Sequence, residues 1–148
     1  MKFSAKFESK PHNYWEYYNS DIRPKLMEID VFIKSLDEPA DISATADILG
    51  ISQREVMEIM KNLDIKTICR STFTIIMAHG SSKICKLFSR ELECSSPYTY
   101  TRQNIAHIYN IDLTTVIDAC ESLGIKEVTS FTLPLLFSNI IMTRHDSL

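Results

Sequence analysis

Three glycines and five prolines in 148 residues leave little material for long flexible linkers, and they exclude a low-complexity or fibrous chain. Long apolar runs are missing too. No window approaches eighteen uncharged apolar residues, so no membrane span is expected. The four cysteines, Cys69, Cys85, Cys94 and Cys120, form no CxxC pair and no zinc spacing. The histidines, His12, His79, His107 and His145, are scattered without an HExxH or a paired spacing. No nucleophile beside a base, no acid pair and no full GxxxxGK[ST] loop is visible, so the expectation is a non-enzyme without metal or cofactor. A basic excess is absent as well. The formal net charge is -3, which counts against a protein that simply coats DNA. The opening MKFSAKFESK is charged every few residues and does not read as a signal peptide. Most cysteines fall on apolar faces, where a free thiol behaves as a small hydrophobe, so a reduced, cytoplasmic setting is expected.

What is present is a globular balance, 45% hydrophobic and 24% charged, enough for one ordinary domain or two very small units. Residues 1–11 read as a polar terminus ending at Pro11. Next comes an aromatic cluster, Tyr14, Trp15, Tyr17 and Tyr18. Tyr14 and Tyr18 share a helical face with Trp15 beside them. Such rings either cover one end of a core or present a partner surface, where Trp and Tyr are enriched. A scaffold helix is then expected from Asp21, capped by Ser20, with Pro24 in its first turn. Ile22, Leu26, Ile29, Ile33 and Leu36 form its apolar stripe, widened by Phe32, and it closes at Asp37-Glu38-Pro39.

From Asp41 the chain repeats itself. A shift of 60 residues aligns Ala46 with Ala106, Ile51 with Ile111, Val56 with Val116, Leu63-x-Ile65-Lys66 with Leu123-x-Ile125-Lys126, and Thr72 with Thr132. The matches fall at core-type positions, as in a duplicated structural unit. Each copy reads as three helices. In the first, a helix near 43–49 turns at Gly50, Ser52 caps the second helix to Leu63, and Thr72 caps the third through Met77. In the second, Thr101, Asp112 and Thr132 are the caps, and Pro134 lies in the first turn of the last helix. The links Ile65–Ile68 and their counterparts are extended and short enough that a sheet between them would be marginal. Between the copies, Gly80-Ser81-Ser82 breaks the chain, with serine capping, before a connecting helix, KICKLFSREL. Its apolar face is Ile84, Leu87, Phe88 and Leu92. It ends before Ser95-Ser96-Pro97, and a polar tail follows Met142.

Within Ala44–Leu63, ATADILGISQREVMEIMKNL, Ala46, Gly50 and Val56 stand where a small residue, a turn glycine and a β-branched core residue belong in helix-turn-helix DNA-binding proteins. The stretch resembles that motif over roughly twenty residues. The resemblance implies that the second helix enters the major groove with its first residues at base edges. Ser52, Gln53, Arg54, Met57, Glu58 and Lys61 would then face outward. Gln and Arg suit adenine and guanine edges, and Lys61, Lys66 and Arg70 would neutralise phosphates. Glu55 and Glu58 would face or flank the polyanion. The second copy departs from the pattern. Asn110 replaces the turn glycine, which a left-handed conformation tolerates. Its outward positions, Asp112, Leu113, Thr114, Ile117, Asp118 and Glu121, hold three acids and no base. Leu113 and Ile117 suit a protein contact better. Residues 41–90 carry seven Lys/Arg against five Asp/Glu, whereas 91–148 carry three against seven. AraC-type regulators also set two such units around a linking helix, but this chain lacks their downstream signature and has a different repeat length.

The expectation is therefore an all-α protein in three parts. Residues 1–40 hold the aromatic segment and scaffold helix, 41–93 the first helix-turn-helix-like repeat with the connecting helix, and 94–148 the acidic second repeat. Two functions compete. One is a small DNA-binding transcriptional regulator using Ser52, Gln53, Arg54, Met57, Lys61, Lys66 and Arg70. The other is a non-enzymatic interaction or assembly protein that binds a partner or itself through Tyr14, Trp15, Tyr18, Leu113 and Ile117.

Overall fold

A computed structural model describes residues 12–36, 38–94 and 98–142. Expectations for the first eleven residues, Asp37, the Ser95-Ser96-Pro97 break and the tail after Met142 fall outside them. The described residues are all-α. In chain order the helices are α1 (Tyr14–Tyr17), a π turn (Tyr18–Ile22), α2 (Arg23–Lys34), α3 (Ile42–Leu49), α4 (Gln53–Asn62), α5 (Arg70–His79), α6 (Lys83–Cys94), α7 (Arg102–Tyr109), α8 (Leu113–Leu123) and α9 (Leu133–Ser138). No helix among the described residues is long and apolar enough to cross a membrane.

Two compact units divide the chain. One is Pro24–Glu93; the other joins the described residues up to Arg23 with those from Cys94. The scaffold helix expected as one element is thus shared between them. Its start also differs from the expected Ser20 cap. Asn13 caps α1 instead, its side chain accepting the Glu16 N–H at 2.9 Å, while Glu16 accepts the His12 N–H at 2.8 Å. Ser20 lies inside the π turn, where the Arg23 N–H reaches back to the Tyr18 carbonyl. Pro24 follows directly. It has no N–H to donate, and its ring crowds the carbonyl four residues earlier. A wider π turn before it accommodates both defects.

Hydrogen bonds recur at the sixty-residue spacing. Ile51 N–H to Ala46 O (3.1 Å) is matched by Ile111 to Ala106 (3.0 Å), and Ile65 to Met60 (2.8 Å) by Ile125 to Cys120 (2.9 Å). The short links pair with the residue before their own first helix. Ala40 N–H donates to Ile68 O and Tyr100 N–H to Val128 O, each at 2.8 Å. Gly50 and Asn110 both adopt left-handed conformations, φ 71° and 56°, the conformation that brings a helix to an end without continuing it. Buried positions match as well: Val56 with Val116, Ile59 with Ala119, Ile68 with Val128, Ile76 with Leu136, Met77 with Phe137.

The third helices start differently from expectation. Thr72 is not the cap of α5. Cys69 holds that place and Thr72 sits three residues on, its Oγ1 accepting the Cys69 N–H at 2.7 Å as the return bond of a capping box. Thr132 makes the same bond to Thr129 N–H at 2.8 Å, and, as the residue before α9, it receives no cap bond of its own. Helix α9 begins later than α5 would predict because Pro134 stands where Thr74 stands in the first repeat. The bond from that N–H to residue 130 cannot form.

Different elements cover the two cores. In the unit Pro24–Glu93, Phe32 of α2 packs on buried Phe73 (ring centroids 5.2 Å apart), and α6 buries Ile84, Cys85 and Leu87. Of the expected stripe, Ile29 is buried in this unit and Ile22 in the other, with Leu26, Ile33 and Leu36 half-buried. In the other unit the aromatic segment supplies the cover. Buried Tyr14 packs 4.6 Å from Phe137 and 6.0 Å from Tyr109, and its N–H donates to Ile140 O at 2.8 Å.

Candidate nucleic-acid interface

Helix α4 is positioned by its two ends and one buried face. Asp41 caps α3, its carboxylate accepting the Ser43 N–H at 3.2 Å. The turn at Gly50 redirects the chain, and Ser52 caps α4 by accepting the Glu55 N–H at 3.0 Å. Val56 and Ile59 bury the inner face. Ser82 begins α6 by accepting the Cys85 N–H at 3.3 Å and donates to Leu49 O at 2.7 Å, which ties α6 to the end of α3. Position 80 is buried there and takes a glycine, because a Cβ would lie 2.5 Å from Cys85 Sγ.

The outward face of α4 carries Arg54, Met57, Glu58 and Lys61 at helical spacing. Their side chains are open to solvent: Arg54 is 86% exposed, Glu58 63%, and Met57 50%. Arg54 Nε and Glu58 Oε2 stand 3.6 Å apart as an ion pair. Gln53 is exposed, and its Nε2 donates to Ser43 Oγ at 3.4 Å. Glu55, expected to face or flank the polyanion, is held by Ser81 instead. Its two oxygens accept from Ser81 N–H (2.7 Å) and Ser81 Oγ (2.8 Å). A contact across twenty-six positions of chain has no local signal in the sequence.

Ser52, Gln53, Arg54, Met57 and Lys61 therefore share one short stretch, while the two remaining basic candidates stand apart from it. Lys66 lies on the link and pairs with Asp64 at 2.9 Å. Arg70 opens α5. Its guanidinium donates to Lys34 O at 3.0 Å and its N–H to Glu38 Oε2 at 3.2 Å, so it caps the end of α2. Grouping by unit also changes the charge balance. Pro24–Glu93 holds nine Lys/Arg against eleven Asp/Glu, and the rest of the chain seven against eight. The basic excess of residues 41–90 is offset by Asp37 and Glu38 before it and Glu91 and Glu93 after it.

In the second repeat Asp112 caps α8 by accepting the Thr115 N–H at 3.3 Å. Leu113 is 38% exposed and Ile117 half-buried. Glu121 is engaged by Arg102, whose Nη1 lies 2.7 Å from it and whose Nη2 donates to Ile125 O at 2.9 Å. Arg102 thus staples α7 to α8, a role that sequence reading missed. Of the aromatic candidates, Tyr14 lies inside its unit, while Trp15 is half-buried and stacks on Tyr18 at 5.9 Å.

The four cysteines are free thiols. Bonds from Ser71 and Thr72 at the start of α5 draw the Cys69 thiol down to about 7, whereas burial pushes Cys85 and Cys120 up. Among the described residues no cluster of His, Cys, Asp or Glu is arranged to hold a metal ion. No protein family, curated protein or solved structure matches the chain.

Proposed function

We propose that this protein is a non-enzymatic DNA-binding regulator that sets the helix-turn-helix-like segment of its first repeat on duplex DNA, with α4 in the major groove. The observation that carries this reading is the outward face of α4. Arg54, Met57 and Lys61 follow one line at i, i+3 and i+7, Gln53 stands at the leading end, and Glu55 is withdrawn to Ser81. Arg54 presents a fork suited to guanine, Gln53 an amide suited to adenine, and Met57 an apolar surface for a thymine methyl group. Lys61 and Lys66 contact phosphate, and Arg70 does so through the donors that Lys34 leaves over. With the whole unit slightly acidic, affinity rests on this local cluster. Its free thiols accord with a cytoplasmic site of action.

Fluorescence anisotropy with mixed-sequence duplex DNA at low and moderate salt tests the reading. Binding that weakens with salt at a slope of about -0.9 per neutralised phosphate, and that is lost in Arg54→Ala and Lys61→Ala, supports it. Absence of binding at low salt overturns it.

One feature favours a second reading, a protein partner or self-association. The unit containing the second repeat exposes Phe131 (92%) and Leu135 (50%) along with Leu113. Light scattering across a concentration series measures self-association, and a strict monomer removes that arm of the reading.

A further inference from the structure

The DNA-binding reading leaves one charge on α4 without a purpose. Glu58 stands between Arg54 and Lys61 on the outward face, where a bare carboxylate would repel phosphate. It is not bare: Oε2 lies against Arg54 Nε, one helical turn away. We infer that Arg54 and Glu58 read DNA as one unit, so that Glu58 selects cytosine beside a guanine held by Arg54. The inference rests on the DNA-binding reading and adds the class of duplex recognised.

With the Nε edge of the Arg54 guanidinium turned to Glu58, the two terminal nitrogens remain as a fork, which fits the O6 and N7 acceptors of guanine. Glu58 retains a second oxygen, and an acceptor in the major groove finds its donor in the N4 amino group of cytosine. Four residues advance a helix by about 6 Å, less than two base-pair steps of about 3.4 Å, so the two heads reach neighbouring pairs. Because Glu55 bonds Ser81, Glu58 is the one acid among the outward positions Gln53, Arg54, Met57, Glu58 and Lys61. Away from such a step, Glu58 meets phosphate or a base acceptor and weakens binding, which is discrimination by repulsion. The matching positions of the second repeat are Thr114 and Asp118, and they cannot form this pair.

The experiment is selection of duplexes from a random-sequence pool by the full chain, followed by competition anisotropy on the enriched and mismatched duplexes. Wild type is expected to enrich a guanine next to a cytosine at fixed register. Glu58→Gln keeps the shape and removes the charge. It is expected to lose the cytosine preference and to bind unrelated duplexes more tightly, so that discrimination falls about tenfold or more. Arg54→Lys keeps the charge and removes the fork, and is expected to lose the guanine preference while keeping its salt dependence. If Glu58→Gln enriches the same sequences as wild type, Glu58 is only a helix-face charge and the inference is overturned while DNA binding stands. If wild type enriches nothing at low salt, both fall together.

Discussion

In the first repeat the carbonyl of Leu49 is met by Ser82, from the helix that follows it. In the second, the carbonyl of Tyr109, the same position sixty residues on, is met at 3.3 Å by the hydroxyl of Tyr14, ninety-five residues earlier in the chain. The demand is identical, because the last carbonyls of a helix need donors. The supplier is not. One repeat is closed by a neighbour in sequence and the other by the aromatic segment. The helices of a repeat carry their own geometry, therefore, while the surface that completes the core is free to come from anywhere that offers a hydroxyl and apolar area. This difference also separates what the repeats expose. The first leaves α4 with a mixed basic and apolar face, and the second leaves Phe131, Leu135 and Leu113 outward.

The largest test of this contrast is Phe137→Ala. Phe137 is fully buried and meets the rings of Tyr14, Tyr18 and Tyr109, so its loss removes the surface on which the aromatic segment sits. Chemical denaturation is expected to show a loss of about 3–5 kcal/mol, with the tyrosine near-ultraviolet signal collapsing first. An unchanged signal would mean that the aromatic segment is not the cover of this repeat. Gly80→Ala probes the other closure. The added Cβ meets Cys85 Sγ, a crowding of about 1–3 kcal/mol, and Cys85→Ala in the same chain should relieve most of it. Additive losses in the two variants would contradict that contact.

The turns offer a finer comparison. Gly50→Ala is expected to cost about 1 kcal/mol, since its φ of 71° crowds a Cβ, and Gly50→Asn less, because Asn110 already holds the same conformation. Equal losses would show that the left-handed turn is not the constraint. Thr45 runs in the opposite direction. It is fully buried with no partner for its hydroxyl, and Ile105 occupies the matching position. Thr45→Val should leave stability unchanged or raise it by up to about 1 kcal/mol, and a clear loss would reveal a bond to that hydroxyl. The smallest effect concerns Cys69, whose counterpart is Thr129. Its alkylation rate should rise with pH to half its maximum near 7, because the thiolate is the reactive form and the bonds from Ser71 and Thr72 favour it. Ser71→Ala should move that midpoint upward. A midpoint unmoved by the substitution would remove Ser71 as a cause.

Local signals explain why much of this was legible. Ser52, Asp112, Gly50 and Asn110 act within three or four residues of themselves, so their types announce the ends of α3, α4, α7 and α8. The matched apolar positions did the same for the core, from Val56 and Val116 to Ile76 and Leu136. Thr72 was misplaced as a cap because a capping box puts a hydroxyl at both ends, and Cys69 is an unusual occupant of the first. The Arg70 bond to Lys34 and the Arg102 pair with Glu121 span thirty-six and nineteen positions, and no pattern along the chain encodes them.

The sequence by itself determined the all-α class and the turns at Gly50 and Asn110, since backbone bonding and apolar spacing are satisfied over a few residues. Only the tertiary structure decided which segment covers each core, that Glu55 turns to Ser81, and that Arg70 holds the end of α2. These depend on groups far apart in the chain meeting across a packed core, where burial makes an unmet carbonyl costly and leaves each polar group to the partner that folding brings to it.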